Sequence, residues 1–223
     1  MRIVFKDEAF GEVKEISIII VINNRVLTRK MVRAGNCWLI DMDIPDGEHM
    51  YKYVINESLR FNDKDAYKYV RWKDGEVWSV LRVESGQIMQ QNFHKPVIAG
   101  YSMTPGVRYG QYCSNHLFKN TLDEKFSISV DVSELTDIHS VTAIWYREDG
   151  SVYHIEEQTI DCPQDNYIYT VNAVFWIDIP AILYDTGNNW TVEIYIDGAL
   201  KIKDYFKNEN KGDKRNVRFN SFI

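Results

Sequence analysis

The sequence predicts an all-β protein built as two tandem immunoglobulin-like antiparallel β-sandwiches, the first of early-set type. Three observations lead there. Apolar and polar residues alternate with period two through most of the chain, which places successive side chains on opposite faces of a strand. Stretches of helical period are hard to find over any window of useful length. Asp-Gly pairs at 46/47, 74/75, 149/150 and 197/198 punctuate the runs as tight turns that need a residue at positive φ. A sandwich of this kind closes a core in about 100 residues, so the 223 residues hold two.

Taken in order, the first long run is Ile16-Ser-Ile-Ile-Ile-Val-Ile22, followed by Asn23-Asn24. It is far short of the roughly 20 apolar residues of a membrane helix, so no bilayer span is expected. Alternation lapses in Ser85-Gly-Gln-Ile-Met-Gln-Gln-Asn-Phe-His-Lys-Pro96 and stops at a proline, which sets a first domain over 1–85, a linker over 86–98 and a second domain over 99–223. Residues 97–120, rich in Gly and Tyr, give no clean strand. Phe126–Val132 alternates again, and Val141–Tyr146 and Ser151–Ile155 flank Asp149-Gly150 as a hairpin. In the Trp190–Asp197 run, Trp190, Val192, Ile194 and Ile196 face the core, whereas Thr191, Glu193, Tyr195 and Asp197 are expected to face water. The polar stretch 208–216 reads as a solvated tail, with Val217–Ile223 suited to a last strand.

Charge and composition narrow the function. Lys plus Arg is 26 against 32 acids, a net charge of −6, which disfavours a nucleic-acid partner. Tyr67-Lys-Tyr-Val-Arg-Trp-Lys73 interleaves aromatic and basic groups as single-strand platforms do, but neither parity is purely aromatic or basic, and an edge strand explains it. Acids in Met1–Glu8 stand where a secretory signal would be apolar, so a cytoplasmic location is expected. Cys37, Cys113 and Cys162 are odd in number and form no Cys-x-x-Cys pair, which fits buried reduced thiols and neither a disulfide framework nor a structural zinc.

The first half carries a resemblance. Asp43-Ile-Pro-Asp-Gly-Glu-His-Met-Tyr-Lys-Tyr-Val-Ile-Asn56, followed by Leu59-Arg-Phe-Asn-Asp-Lys-Asp-Ala66, resembles the glycogen-binding early-set modules found in the β-subunit of AMP-activated kinase and beside branching enzymes. The resemblance spans residues 1–85, with Asn23-Asn24 as the short loop after the first long strand and Val77-Trp-Ser-Val-Leu-Arg-Val83 as the closing strand. It implies an immunoglobulin-like sandwich and a family whose tryptophans stack on sugar rings. This chain departs at both platforms: Arg25 follows the paired asparagines, and Leu59 precedes the Asn/Asp-rich turn that holds Asn62. Lys52 matches a family lysine that hydrogen-bonds the glycan, and alternation puts it on the outer face with Glu48 and Met50 while Tyr51 and Tyr53 point inward. Trp78 shares a side with Val80 and Arg82, as a partly exposed aromatic that serves either as a relocated platform, with Trp72, or by preference as packing against the second domain. In the second half, Asn188–Leu200 with Asp204-Tyr-Phe206 resembles the last hairpin of many bacterial immunoglobulin-like domains and implies architecture alone.

Catalytic patterns are sparse. No Gly-x-Ser-x-Gly occurs, and the nearest nucleophile–base pairing is Cys113 with His116, Asp123 lying further on. Histidines 49, 94, 116, 139 and 154 never take metal-ligand spacing. Asp41, Asp43 and Asp46 read as solvated strand acids, and Asn62 and Asp63 as turn residues capping their own backbone, in place of a calcium loop. The expectation is a non-catalytic binding or assembly module acting through protein contacts, a homo-oligomer included, with no cofactor and no metal. An α-glucan module using Lys52, Trp72 and Trp78, with Asn62 and Arg25 nearby, stands second; an enzyme with its site between the domains around Cys113, His116 and Asp123 stands third.

Overall fold

The computed structural model describes residues 1–6, 13–89, 95–105, 125–162, 170–178 and 189–207, and among these every regular element is a strand. The strands are β1 (Arg2–Lys6), β2 (Ile16–Ile22), β3 (Arg25–Lys30), β4 (Val32–Ala34), β5 (Cys37–Asp41), β6 (Gly47–Ile55), β7 (Leu59–Phe61), β8 (Lys68–Arg71), β9 (Val77–Glu84) and β10 (Gln87–Met89), then β11 (Val97–Pro105), β12 (Lys125–Ser133), β13 (Ile138–Tyr146), β14 (Val152–Asp161), β15 (Val171–Asp178), β16 (Asn189–Ile196) and β17 (Ala199–Lys207). The chain divides into two compact units, one of Met1–His94 with Asp137–Ser140 and Ile196–Ala199, the other of Lys95–Thr136, Val141–Tyr195 and Leu200–Ile223. Among the described residues no helix is long and apolar enough to cross a membrane.

In the first unit, a three-stranded sheet of order β1-β5-β4 accompanies a seven-stranded one of order β10-β9-β6-β2-β3, with β7 on β6 and β8 on β9. The pairings are antiparallel. The alternation of β2 turns Ile16, Ile18 and Ile20 into the core, where the register sets Ile18 beside Tyr53 and Ile20 beside Tyr51. Phe5 of β1 meets Tyr53 of β6 with ring centroids 4.5 Å apart, tying the two sheets together. Burial of each such side chain contributes roughly 1.5–3 kcal/mol. Asn23 and Asn24, at φ 50° and 60°, form the two-residue loop between β2 and β3; Asn tolerates the left-handed region that the right-handed twist of a hairpin requires.

In the second unit, sheets of order β11-β12-β15 and β14-β13-β16-β17 pack as a sandwich. Phe126, Ile128, Val130 and Val132 of β12 are fully buried. Phe126 lies edge-on to Trp145 at 5.9 Å and stacks on Phe206 at 4.6 Å, and Phe206 stacks in turn on Trp190 at 5.9 Å. These aromatic contacts join β12 of one sheet to β13, β16 and β17 of the other.

Several expectations need correction. Residues 97–105, which give no clean strand in the sequence, form β11, a nine-residue strand paired along β12 with a register shift between Ile98 and Gly100. The 86–98 stretch contains β10, a hairpin return from β9 through Ser85 and Gly86 at φ 51° and 74°. Most of the side of β16 expected to be wet is buried: Glu193 accepts hydrogen bonds from Tyr146, Tyr195 and Lys203, so a carboxylate that reads as solvent-facing is instead the acceptor of an enclosed cluster. Cys37 and Cys162 are reduced thiols, half-buried where full burial is expected.

Candidate functional site

The outer face of the seven-stranded sheet carries three of the five residues singled out in the sequence. The pairing of Met50 with Val80 puts Lys52 on the same face as Trp78, as alternation requires, and Val70 lies beside Trp78. Accessibility is the correction: Lys52 is only 1% exposed and Trp78 only 5%. The Lys52 ammonium donates to Glu76 Oε2 at 3.1 Å, and the other Glu76 oxygen lies 3.5 Å from Arg60 Nη1. Glu76, in the turn between β8 and β9, thus neutralises Lys52 in place, as a buried cation requires. Trp72 stays half-buried beside Trp78, ring centroids 6.0 Å apart and planes 46° off parallel, with the Lys73 ammonium 5.4 Å from its ring centre. A flat, open ring platform is not formed by this pair. Arg25 is exposed, but its register beside Ile22 places it on the opposite face from Lys52.

Asn62 belongs to a different constellation. It is buried, donates to the Val77 carbonyl and to Ser140 Oγ, both at 3.1 Å, and accepts from Ser79 Oγ at 3.1 Å. It therefore does not cap its own backbone, whereas Asp63 does, accepting the Asp65 N–H at 2.9 Å. The second Asp63 oxygen accepts from Tyr51 and Tyr53 at 2.8 and 3.0 Å. Burial pushes the Asp63 carboxyl above its ordinary range, against the pull of those hydrogen bonds, and burial beside Asp63 pushes both phenols well up. Tyr69 donates to the Asp63 carbonyl at 2.7 Å. Close by, His139 Nδ1 sits 2.6 Å from Asp197 Oδ2, and Asp197 Oδ1 accepts the Ser140 N–H at 2.9 Å. His139 Nε2 is buried with no hydrogen-bond partner among the described residues. An Asp–His pair has the form of a base with its orienting group, but His139 is 4% exposed, and a base must reach a substrate. This constellation, unread in the sequence because its members are scattered from position 51 to 197, is a structural knot.

The third feature is an open edge. Among the described residues, strands β3 and β4 each pair on one side, with β2 and β5 respectively. Between them Met31 is buried and its N–H donates to the Ile16 carbonyl, so residues 25–34 form one continuous edge that passes from the larger sheet to the smaller. Arg25, Arg29, Lys30 and Arg33 lie in this run and no acid does. Val26 is 61% exposed and Val32 71%. Lys30 meets Glu15 at 2.9 Å, and the Arg33 guanidinium lies over the Trp38 ring.

Among the described residues no three His, Cys, Asp or Glu side chains are grouped as a metal ion would require. Asp41 accepts from Arg2 Nε and Nη2 at 3.0 and 2.9 Å, and Asp46 accepts the N–H groups of Ser85 and Gly86. Cys113, His116 and Asp123, and the 208–223 tail, lie outside the described residues. No protein-family model matches the chain, and no curated protein does. Among solved structures the chain is similar to Bacteroides uniformis β-glucuronidase 2, solved covalently bound to cyclophellitol-6-carboxylate aziridine, at 12% identity and a TM-score of 0.30. The match covers 99% of this chain and 28% of that one, so the chain spans little more than a quarter of that enzyme's length. A likeness of this size carries no conclusion about function.

Proposed function

We propose that the chain is a non-catalytic binding or assembly module that works through protein contacts. The observation that carries this reading is the Arg25–Ala34 edge, which leaves backbone and apolar side chains open in one continuous run, with Val26 and Val32 the most exposed large apolar residues described. A sheet edge presents unpaired backbone groups as a template for another chain, and exposed apolar side chains along it add to that tendency. The glycan alternative is weaker, because Lys52 is closed off by Glu76 and Trp78 is buried, which leaves Trp72 as the half-open ring of that group. Light scattering after size exclusion, together with a pull-down from native lysate, tests the reading. A higher-order species or a reproducibly retained protein is expected; a strict monomer that retains nothing defeats it. In glycogen-containing gels the chain is expected to migrate unretarded, and retardation would reinstate the sugar-binding alternative.

A further inference from the structure

We infer that β3 accepts an acidic, extended peptide segment of another protein as an added strand. The inference rests on the protein-contact reading above and names the partner's chemistry. The two-residue Asn23-Asn24 loop makes Ile22 and Arg25 the hydrogen-bonded closing pair of the β2–β3 hairpin, so Arg25, Leu27 and Arg29 spend their backbone groups on β2. The Met31 N–H, bonded to the Ile16 carbonyl, continues the same parity. Val26, Thr28 and Lys30 consequently turn their N–H and C=O groups outward, and among the described residues no strand pairs with them; the Thr28 carbonyl accepts the Arg29 guanidinium at 2.9 Å, a side-chain bond on the strand's own surface that an incoming strand would displace. Such a row is the template for strand addition, in which backbone bonds supply affinity and alternate side chains supply selectivity.

Charge selects the occupant. The protein is acidic overall at −6, yet the run 25–34 holds Arg25, Arg29, Lys30 and Arg33 and no acid of its own, with Lys30 paired to Glu15 outside it. A second copy docking β3 to β3 in the register centred on Leu27 would set Arg25 of each copy against Arg29 of the other, and like charges facing across strands are destabilising; in any register it gathers the cations of two edges along one seam. A segment with acids across from Arg25 and Arg29, a small apolar residue across from Leu27 and another across from Val26 satisfies both parities. Long-range attraction between such a segment and the basic edge would also speed encounter.

The test uses the full chain and a fluorescent nonapeptide, Gly-Ser-Glu-Thr-Val-Val-Glu-Ser-Gly, followed by anisotropy. Saturable binding is expected, weakening with added salt and lost when Lys replaces both Glu residues. Thr28→Pro is the critical variant: it removes an outward N–H and leaves the bonds to β2 in place, as proline on an edge strand allows. It should weaken binding by about tenfold or more with its melting temperature little changed, and Arg25→Glu with Arg29→Glu should do the same. Peptide should also slow amide hydrogen exchange at Val26, Thr28 and Lys30. Equal binding by Thr28→Pro, equal binding of the Lys peptide, or no saturation overturns the inference. If wild type and Thr28→Pro then retain the same lysate protein, the edge assignment alone falls; if neither retains any, the protein-contact reading falls with it.

Discussion

The buried knot around Asn62 and the open edge at β3–β4 use the same kinds of group to opposite ends. In the knot, backbone and side-chain polar atoms are enclosed and nearly all matched: Asn62 with Val77, Ser79 and Ser140, Asp63 with Tyr51 and Tyr53, Asp197 with His139 and Ser140. On the edge, apolar side chains are left to solvent and the outward backbone groups meet no strand among the described residues, the Thr28 carbonyl accepting only the neighbouring Arg29 guanidinium at 2.9 Å. Enclosed polar groups can be exchanged for little without loss, because each orphan bears its full desolvation cost. Groups on an open edge are already hydrated, so changing them alters what the surface can recruit and leaves the fold almost untouched. Structural and functional residues in this protein should therefore separate by the size of their effect on melting.

The largest effect should come from Gly198→Ala. Gly198 has φ +79°, and a Cβ there would lie 2.0 Å from the Asn62 carbonyl oxygen and 2.9 Å from its carbon, both backbone atoms that cannot swing aside. Strain at positive φ adds to the overlap. A loss of about 3 kcal/mol or more, or failure to fold, is expected in chemical denaturation. A mild effect would show that the knot is looser than its hydrogen bonds imply. Next is Asn62→Ala, which removes the amide bonds to the Val77 carbonyl and the Ser140 hydroxyl and leaves the Ser79 hydroxyl, still accepting the Asp63 N–H, without the acceptor for its proton. About 2–3 kcal/mol should be lost, with no change in any peptide binding at β3.

Asp63→Asn sharpens the comparison through pH. The folded Asp63 carboxyl titrates above its unfolded value, so its contribution to stability is fully present below the unfolded pKa and is lost as pH rises through the folded one. The asparagine variant lacks this term. Its deficit against wild type, of order 1 kcal/mol, should be greatest in acid and shrink as pH rises. A deficit that grows with pH would mean that the carboxylate, not the acid, is the favoured form in the fold.

How much of this was legible in the sequence follows from the range of each interaction. The alternation of Ile16–Ile22 and Phe126–Val132, the Asn23-Asn24 loop and the hairpin at Asp149-Gly150 are local, and the strands and turns occur there. The parity of Lys52 was equally local and correct, but its burial depends on Glu76, which lies 24 positions away and crosses to it through the turn after β8. Glu193 shows the same limit: period two assigns it to an outer face, and only the folded chain brings Tyr146 and Lys203 to that face. Strand β11 escaped because its alternation, Val97-Ile-Ala-Gly-Tyr-Ser-Met, is interrupted by Gly100, where Asp131 packs against the backbone. The basic run of 25–34 is visible as composition, yet nothing local distinguishes an edge strand from a central one. Its role as an edge comes from the strand order alone.

The smallest effect is expected at Val32→Thr, and it is the sharpest check on the edge itself. Val32 is a β-branched residue 71% exposed on β4, and threonine keeps the branch, nearly the same volume and a good strand propensity while adding a hydroxyl. On an open edge that hydroxyl meets water, so stability should move by no more than about 0.5 kcal/mol in either direction. In a covered edge the same hydroxyl would be desolvated without a partner, and a loss of about 1–3 kcal/mol would follow. Measuring the variant at several protein concentrations separates the cases: a small, concentration-independent shift keeps the edge open in the isolated chain, whereas a loss that appears only at high concentration would mean that copies of the chain cover it for one another.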